Sequence, residues 1–158
     1  MLKDKINEDF KAAFKEKKEG ELSVLKNLKA ALLNQEKEKQ FQANKAGADM
    51  AQAALTDDDI IVVISAEVKK LRDAIALFER GGRADLAAQN KKEIEVLMRY
   101  LPAQLSEDEI KKLVADAVAQ TGAATVKDMG KVMGILMPKI KGKADSSLVG
   151  KLVKEALL

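Results

Sequence analysis

The chain of 158 residues has no cysteine and no histidine. Disulfides, thiol nucleophiles and Cys/His zinc sites are therefore excluded. So is a Ser-His-Asp relay, which needs an imidazole. Tryptophan is absent and aromatics are only 3% of the residues, so the core has to be built from Leu, Ile, Val, Ala and Met. No Phe, Tyr or Trp lies beyond Tyr100. Readers of single-stranded RNA stack bases on such rings, so the last third of the chain cannot recognise RNA that way. No charge sign dominates: Lys and Arg number 28 against 25 Asp and Glu. A net charge of +3 does not by itself imply a nucleic-acid partner. Long apolar runs are also missing. Met1-Leu2-Lys3-Asp4-Lys5 leads into no apolar stretch. That predicts neither a signal peptide nor a membrane anchor, and hence a cytoplasmic address.

What is present is helical. The chain is 47% hydrophobic and 34% charged, a balance that suits a folded soluble protein. Leu2, Ile6, Phe10 and Phe14, with Ala13, make a first stripe at helical spacing, predicted to end at Gly20. Val24, Leu25, Leu28, Ala31 and Leu32 make a second. From Asn34 to Ala54 the apolar signal thins around a lone Phe41, which reads as a solvated helix end and a mobile loop, and residues 40–54 are expected to be the most mobile internal segment. Thr56 and Asp59 form a capping box, with Leu55 placed to staple onto Ile60. Ile60, Ile64, Val68, Leu71, Ile75 and Phe78 continue at helical spacing to Gly81-Gly82. A fourth helix is expected from about Ala84 to Tyr100, with Leu86, Ala87, Ile94, Leu97 and Met98 as its apolar positions.

Pro102 marks the strongest boundary. Beyond it Ser106 and Glu109 form another capping box, and Ile110, Leu113, Val114, Ala117 and Val118 form the stripe of a helix ending at Gly122. Thr125 and Asp128 open a helix with Met129, Val132, Met133 and Leu136 on one face, which Pro138 is predicted to end. Lys139, Lys141 and Lys143 then alternate with Ile140 and Gly142 in a short loop. Asp145 is the expected N-cap of a last helix carrying Leu148, Val149, Leu152, Val153 and Ala156. The fold expected is all-α, with a four-helix bundle-like domain over 1–101 and a small three-helix domain over 102–158.

The candidate site lies in that second domain. Lys127 to Lys154 holds seven lysines and two aspartates. On the helix opened by Thr125, Lys127, Gly130, Lys131 and Gly134 share the face opposite the apolar one. Each glycine inside a helix costs roughly 1 kcal/mol relative to alanine, which suggests that a bare backbone is needed there. Lys139, Lys141 and Lys143, together with backbone N–H groups at the start of the Asp145 helix, could surround a phosphate.

Gly130-Lys131-Val132-Met133, Lys139 to Asp145, Leu148-Val149 and Leu152-Val153 resemble the C-terminal signature of the GatB/YqeY family. Glu93 to Leu97, Tyr100-Leu101-Pro102 and Gln104-Leu105-Ser106 fit the same pattern. The chain resembles the free-standing YqeY-like members over its whole length. The resemblance implies an all-helical fold and contact with transfer RNA, because the same signature closes the tRNA-contacting tail of the tRNA-dependent amidotransferase B subunit. The site residues expected on this basis are Lys127, Gly130, Lys131, Gly134, Lys139, Lys141, Gly142 and Lys143. The expected partners are tRNA or an enzyme that processes or charges it. A carbon–nitrogen ligase that uses glutamine as amide donor is the alternative the family label suggests, and a protein–protein adaptor with a helix seated on the glycine face is another.

Other polar groups have plainer explanations. Asp57-Asp58-Asp59 could bind a divalent cation but fits the positive end of a helix dipole. Glu93 and Glu95 flank Ile94 and diverge on a helix. The serines Ser23, Ser65, Ser106, Ser146 and Ser147 include none in a glycine-rich elbow. No catalytic residue, metal or cofactor is expected.

Overall fold

The structure, a computed structural model, describes residues 1–47 and 53–158. Among these residues lie seven α-helices: α1 (Leu2–Lys15), α2 (Glu19–Ala46), α3 (Asp57–Arg80), α4 (Ala84–Met98), α5 (Glu107–Thr121), α6 (Met129–Ile140) and α7 (Ser146–Ala156), with a 3₁₀ turn at Val126–Asp128 before α6. No strand occurs among the described residues, so the protein is all-α. The chain divides into two compact units, Met1–Tyr100 and Leu101–Leu158.

In the first unit α3 and α4 make the most extensive helix pair, and α1 packs along α2. Ile6, Leu25, Leu28, Ile60 and Ile64 are fully buried, which places the stripes of α1, α2 and α3 in one core. The capping box before α3 is formed as the sequence predicts. The Thr56 hydroxyl accepts the Asp59 N–H at 3.2 Å, and Asp59 accepts the Thr56 N–H at 2.8 Å. Leu55 is buried, as is Ile60. The end of α4 is tied down by Tyr100, whose hydroxyl donates to Asp9 at 2.6 Å. Burial and then the Asp9 carboxylate push the phenol well above its usual pKa.

Two expectations for this unit are corrected. Gly20 does not end the first helix, because α1 stops at Lys15 and Gly20 lies in the first turn of α2. The reversal is made by Lys17 at φ 54°, with the Lys18 N–H closing onto the Ala13 carbonyl at 3.0 Å. That bond satisfies one of the orphan carbonyls at the end of α1. Phe14 is not a core residue but is 67% exposed; Ala13 takes the buried position instead. Beyond Asn34 the expected solvated helix end is present: α2 runs to Ala46, ending in Gly47 at φ 67°. Residues 40–46 of the segment expected to be mobile are thus helical, while 48–52 lie outside the described residues. Polar contacts explain the extension: Glu36 binds Lys3 at 2.9 Å, Gln42 donates to Glu38 at 2.8 Å, and Lys39 donates to Asp59 at 2.8 Å and to the Ala54 carbonyl at 3.2 Å.

Lys39 holds the Asp59 carboxyl down to about 2, helped by the Thr56 N–H and hydroxyl and opposed by partial burial. The folded-state pKa lies below the unfolded one, so the stabilisation is present above about pH 4 and is lost as pH falls toward 2. Asp59→Ala should therefore cost about 1 kcal/mol near neutral pH. The gap to wild type should close as pH drops from about 4 to about 2. Urea unfolding of both proteins at pH 7 and pH 2.5 checks this; an unchanged gap would contradict it.

The second unit has a single core. Ile110, Val114 and Ala117 of α5 meet Val132, Leu136 and Ile140 of α6 and Val149, Leu152 and Val153 of α7. Gly150 of α7 faces α6, where a Cβ would stand 3.5 Å from the Met129 methyl. Pro138 does not end the helix, contrary to the sequence expectation: α6 continues to Ile140. The bond a proline forfeits is the one to residue i−4, here Gly134, which is exposed and open to water. Ile140 is buried and holds the last turn in place.

Candidate functional site

The helix under the site opens through the polar bracket the sequence predicts. The Asp128 carboxylate accepts the N–H groups of Ala124 and Thr125, each at 3.3 Å. The bracket encloses the 3₁₀ turn, and α6 proper begins one residue later. Lys131 donates to Asp128 at 3.2 Å, and this contact, ahead of the backbone bonds, lowers the Asp128 carboxyl below the usual range. Part of the Lys131 charge is therefore already answered within the chain.

Lys127, Gly130, Lys131 and Gly134 are all exposed; helical spacing puts Gly130, Lys131 and Gly134 on one face of α6, whereas Lys127, expected on the same helix face, lies in the 3₁₀ turn before it. A Cβ added at Gly130 or Gly134 would meet no atom within 4 Å. No neighbour among the described residues therefore explains the bare backbone. Lys139, expected in the loop, is helical. At 100° per residue it is turned about 80° from Lys131, so it stands on the flank of the lysine–glycine face.

Lys141 and Lys143 stand out from the turn after α6, and between them Gly142 is buried with φ 70°. This turn is held from below by a segment to which the sequence assigned no function. The Gln104 side-chain amide donates to the Gly142 carbonyl at 2.7 Å and to the Pro102 carbonyl at 2.9 Å. The Leu105 N–H donates to the Lys143 carbonyl at 2.8 Å. The only sequence signal for this clasp is the register of Gln104-Leu105-Ser106 in the family pattern.

At the expected phosphate cradle several backbone N–H groups are already bonded within the chain. The Lys143 and Ala144 N–H groups turn inward to the Ile140 carbonyl, at 2.8 and 3.1 Å. The start of α7 is occupied by the Asp145 carboxylate, which accepts the Ser147 N–H at 2.8 Å. A carboxylate already sits where an anion would be drawn by the helix end.

The other polar clusters keep their plainer explanations. Asp59 is committed to Thr56 and Lys39, and Asp57 accepts the Leu2 N–H at 2.9 Å. Ser106 caps α5, where its hydroxyl accepts the Glu109 N–H at 3.3 Å. The buried Ser65 hydroxyl has no hydrogen-bond partner, so no base activates it. No helix among the described residues is long and apolar enough to cross a membrane.

Residues 3–157 match the family model described as Yqey-like protein. The chain is also similar to a protein of Pyrenophora tritici-repentis (strain Pt-1C-BFP) named "Altered inheritance of mitochondria protein 41, mitochondrial". The two are 27% identical over 157 residues, which cover 97% of this chain and 79% of that protein.

Proposed function

Because the chain belongs to the Yqey-like protein family, we propose that it is a non-catalytic accessory module that docks on tRNA, or on an enzyme carrying tRNA, through α6 and the turn after it. The observation that carries this reading is the set of exposed lysines: Lys127 in the 3₁₀ turn, Lys131 and Lys139 on α6, and Lys141 and Lys143 in the clasped turn. Its resemblance to the amidotransferase tail names tRNA as the RNA. With no aromatic side chain beyond Tyr100, binding would be to backbone and shape, and the phosphates would dominate affinity. The compartment proposed is the cytoplasm, where tRNA is at hand.

Two other readings compete with it. The adaptor reading draws on the open space above Gly130 and Gly134, which would admit a helix as readily as a phosphate backbone. The ligase reading rests on the family name alone, and amide release from glutamine by the pure protein would be needed to support it.

A tRNA titration at several salt concentrations separates them. Changing Lys139, Lys141 and Lys143 together to alanine should leave the fold intact, since all three side chains are exposed. Affinity should fall, and the log–log salt slope should shrink by about 0.7 to 0.9 for each phosphate that is no longer neutralised. Changing Gly130 and Gly134 to leucine should weaken binding without changing the slope of the residual binding. If the wild-type chain binds tRNA no tighter than an unrelated helical protein of equal charge, the RNA reading fails and the adaptor reading takes its place.

A further inference from the structure

We propose that the outward groove between α1 and α2 is a second docking site, which takes a helical segment of a partner protein, apolar on the face it buries and acidic along its flanks. The site lies wholly within the first unit and uses none of the residues assigned to RNA.

A cavity of about 310 Å³ opens between these helices, with Ile6, Leu32 and Leu33 in its wall. Leu33 is 50% exposed there. Lys3, Asn7, Phe10 and Phe14 follow one another at i, i+4, i+7 and i+11, so they form a single line along α1. At 1.5 Å per residue that line is about 16 Å long. It ends in Phe14, itself 67% exposed. Phe10 and Phe14 are its apolar half, beyond the polar Lys3 and Asn7, and a docked amphipathic helix would lay its buried face against them and Leu33.

The charge on the walls selects the partner. Lys3 and Glu36 close one end of the cavity as an ion pair at 2.9 Å. Lys29 lies over the Phe10 ring at 4.4 Å, a weaker resting place for an ammonium group than an anion. By helical spacing Lys11 lies on the outer rim of α1, and Lys26 and Lys37 on that of α2, so five lysines stand along the groove against Asp4 and Glu36. Carboxylates on the flanks of a docked helix would meet these cations, while its apolar face would cover Leu33 and Phe14. A nucleic-acid backbone would answer the charge but leave the apolar floor unmatched.

The probe is a synthetic helical peptide with Leu at i, i+4, i+7 and i+11 and Glu at the flanking positions, titrated against the full chain by fluorescence anisotropy. The same peptide with Lys flanks is the control. Saturable binding is expected for the Glu-flanked peptide, weaker by at least about tenfold for the Lys-flanked one. Leu33→Glu should weaken binding by a similar factor while leaving helix content and tRNA affinity as in wild type. Changing Lys26 and Lys29 together to Glu should reverse the preference between the peptides. The proposal is overturned if neither peptide binds, if both bind equally, or if Leu33→Glu has no effect. Two further results would overturn it: loss of tRNA affinity in Leu33→Glu, which would make the groove part of an RNA surface, and displacement of the peptide by phosphatidylglycerol vesicles that bind the chain more tightly, which would make it a membrane surface.

Discussion

Leu136→Ala should remove about 3 kcal/mol of stability from the second unit, the usual range for a buried leucine being about 2–5 kcal/mol. Leu136 is fully buried at the centre of α6 and shares its cluster with side chains of both α5 and α7. Truncating it opens a void that three short helices have little freedom to close. A unit of roughly 60 residues has a total stability on the order of 3–9 kcal/mol, so this one change could consume most of it. The only tyrosine, Tyr100, lies in the first unit, so its fluorescence will not report the event. Amide hydrogen exchange will. Protection across α5, α6 and α7 should collapse. If the two units are separate domains, protection in α1 to α4 should keep its wild-type level. Equal loss in both would mean that the chain unfolds as one cooperative body.

Gly142→Val should cost about 2–4 kcal/mol. A β-branched residue at φ 70° is strained by about 1–2 kcal/mol. The position is also buried, so the added side chain has to displace its neighbours. The expected damage is local and specific: the clasp from Gln104 and Leu105 should open while α6 persists. Gly142→Ala should show the backbone part of the effect alone. Denaturant unfolding of the two variants, with exchange at the Leu105 amide as the local readout, tests both parts. A wild-type exchange rate at Leu105 in the valine variant would show that the clasp does not depend on the glycine.

The sequence is most legible where local chemistry decides the structure. Thr56 with Asp59, and Ser106 with Glu109, carry both halves of a capping box within four residues, and both boxes form. The stripes of α3, α5 and α7 are visible because each is long enough to fix its own phase. Legibility ends where interactions distant in sequence outweigh local preference. Pro138 looks like a stop, but the burial of Ile140 carries α6 past it. Gly20 looks like a cap, but Lys17 takes the left-handed turn. The far half of α2 has no apolar stripe to announce it and is held through Lys39 by residues beyond position 53. At the candidate site the exposure of the lysines and of Gly130 and Gly134 is readable. The clasp from Gln104 is not, because a single glutamine bonded to a carbonyl 38 positions away leaves no periodic trace. The occupation of the α7 start by Asp145 is half visible: the residue reads as a cap, but its charge also competes with that of a phosphate.

The length of α2 has a thermal consequence. Its 28 residues extend about 42 Å, twice the reach of the 14-residue α1 beside it. Beyond the Lys39 contact to Asp59, Phe41, Gln42, Asn44, Lys45 and Ala46 are all exposed. Among the described residues, little but its own backbone bonds and the Gln42–Glu38 contact holds that end, and short helices in water are marginal. It should premelt: ellipticity at 222 nm should decline on warming before the main transition, and the sloping baseline should flatten when Gln42→Pro breaks the last turns.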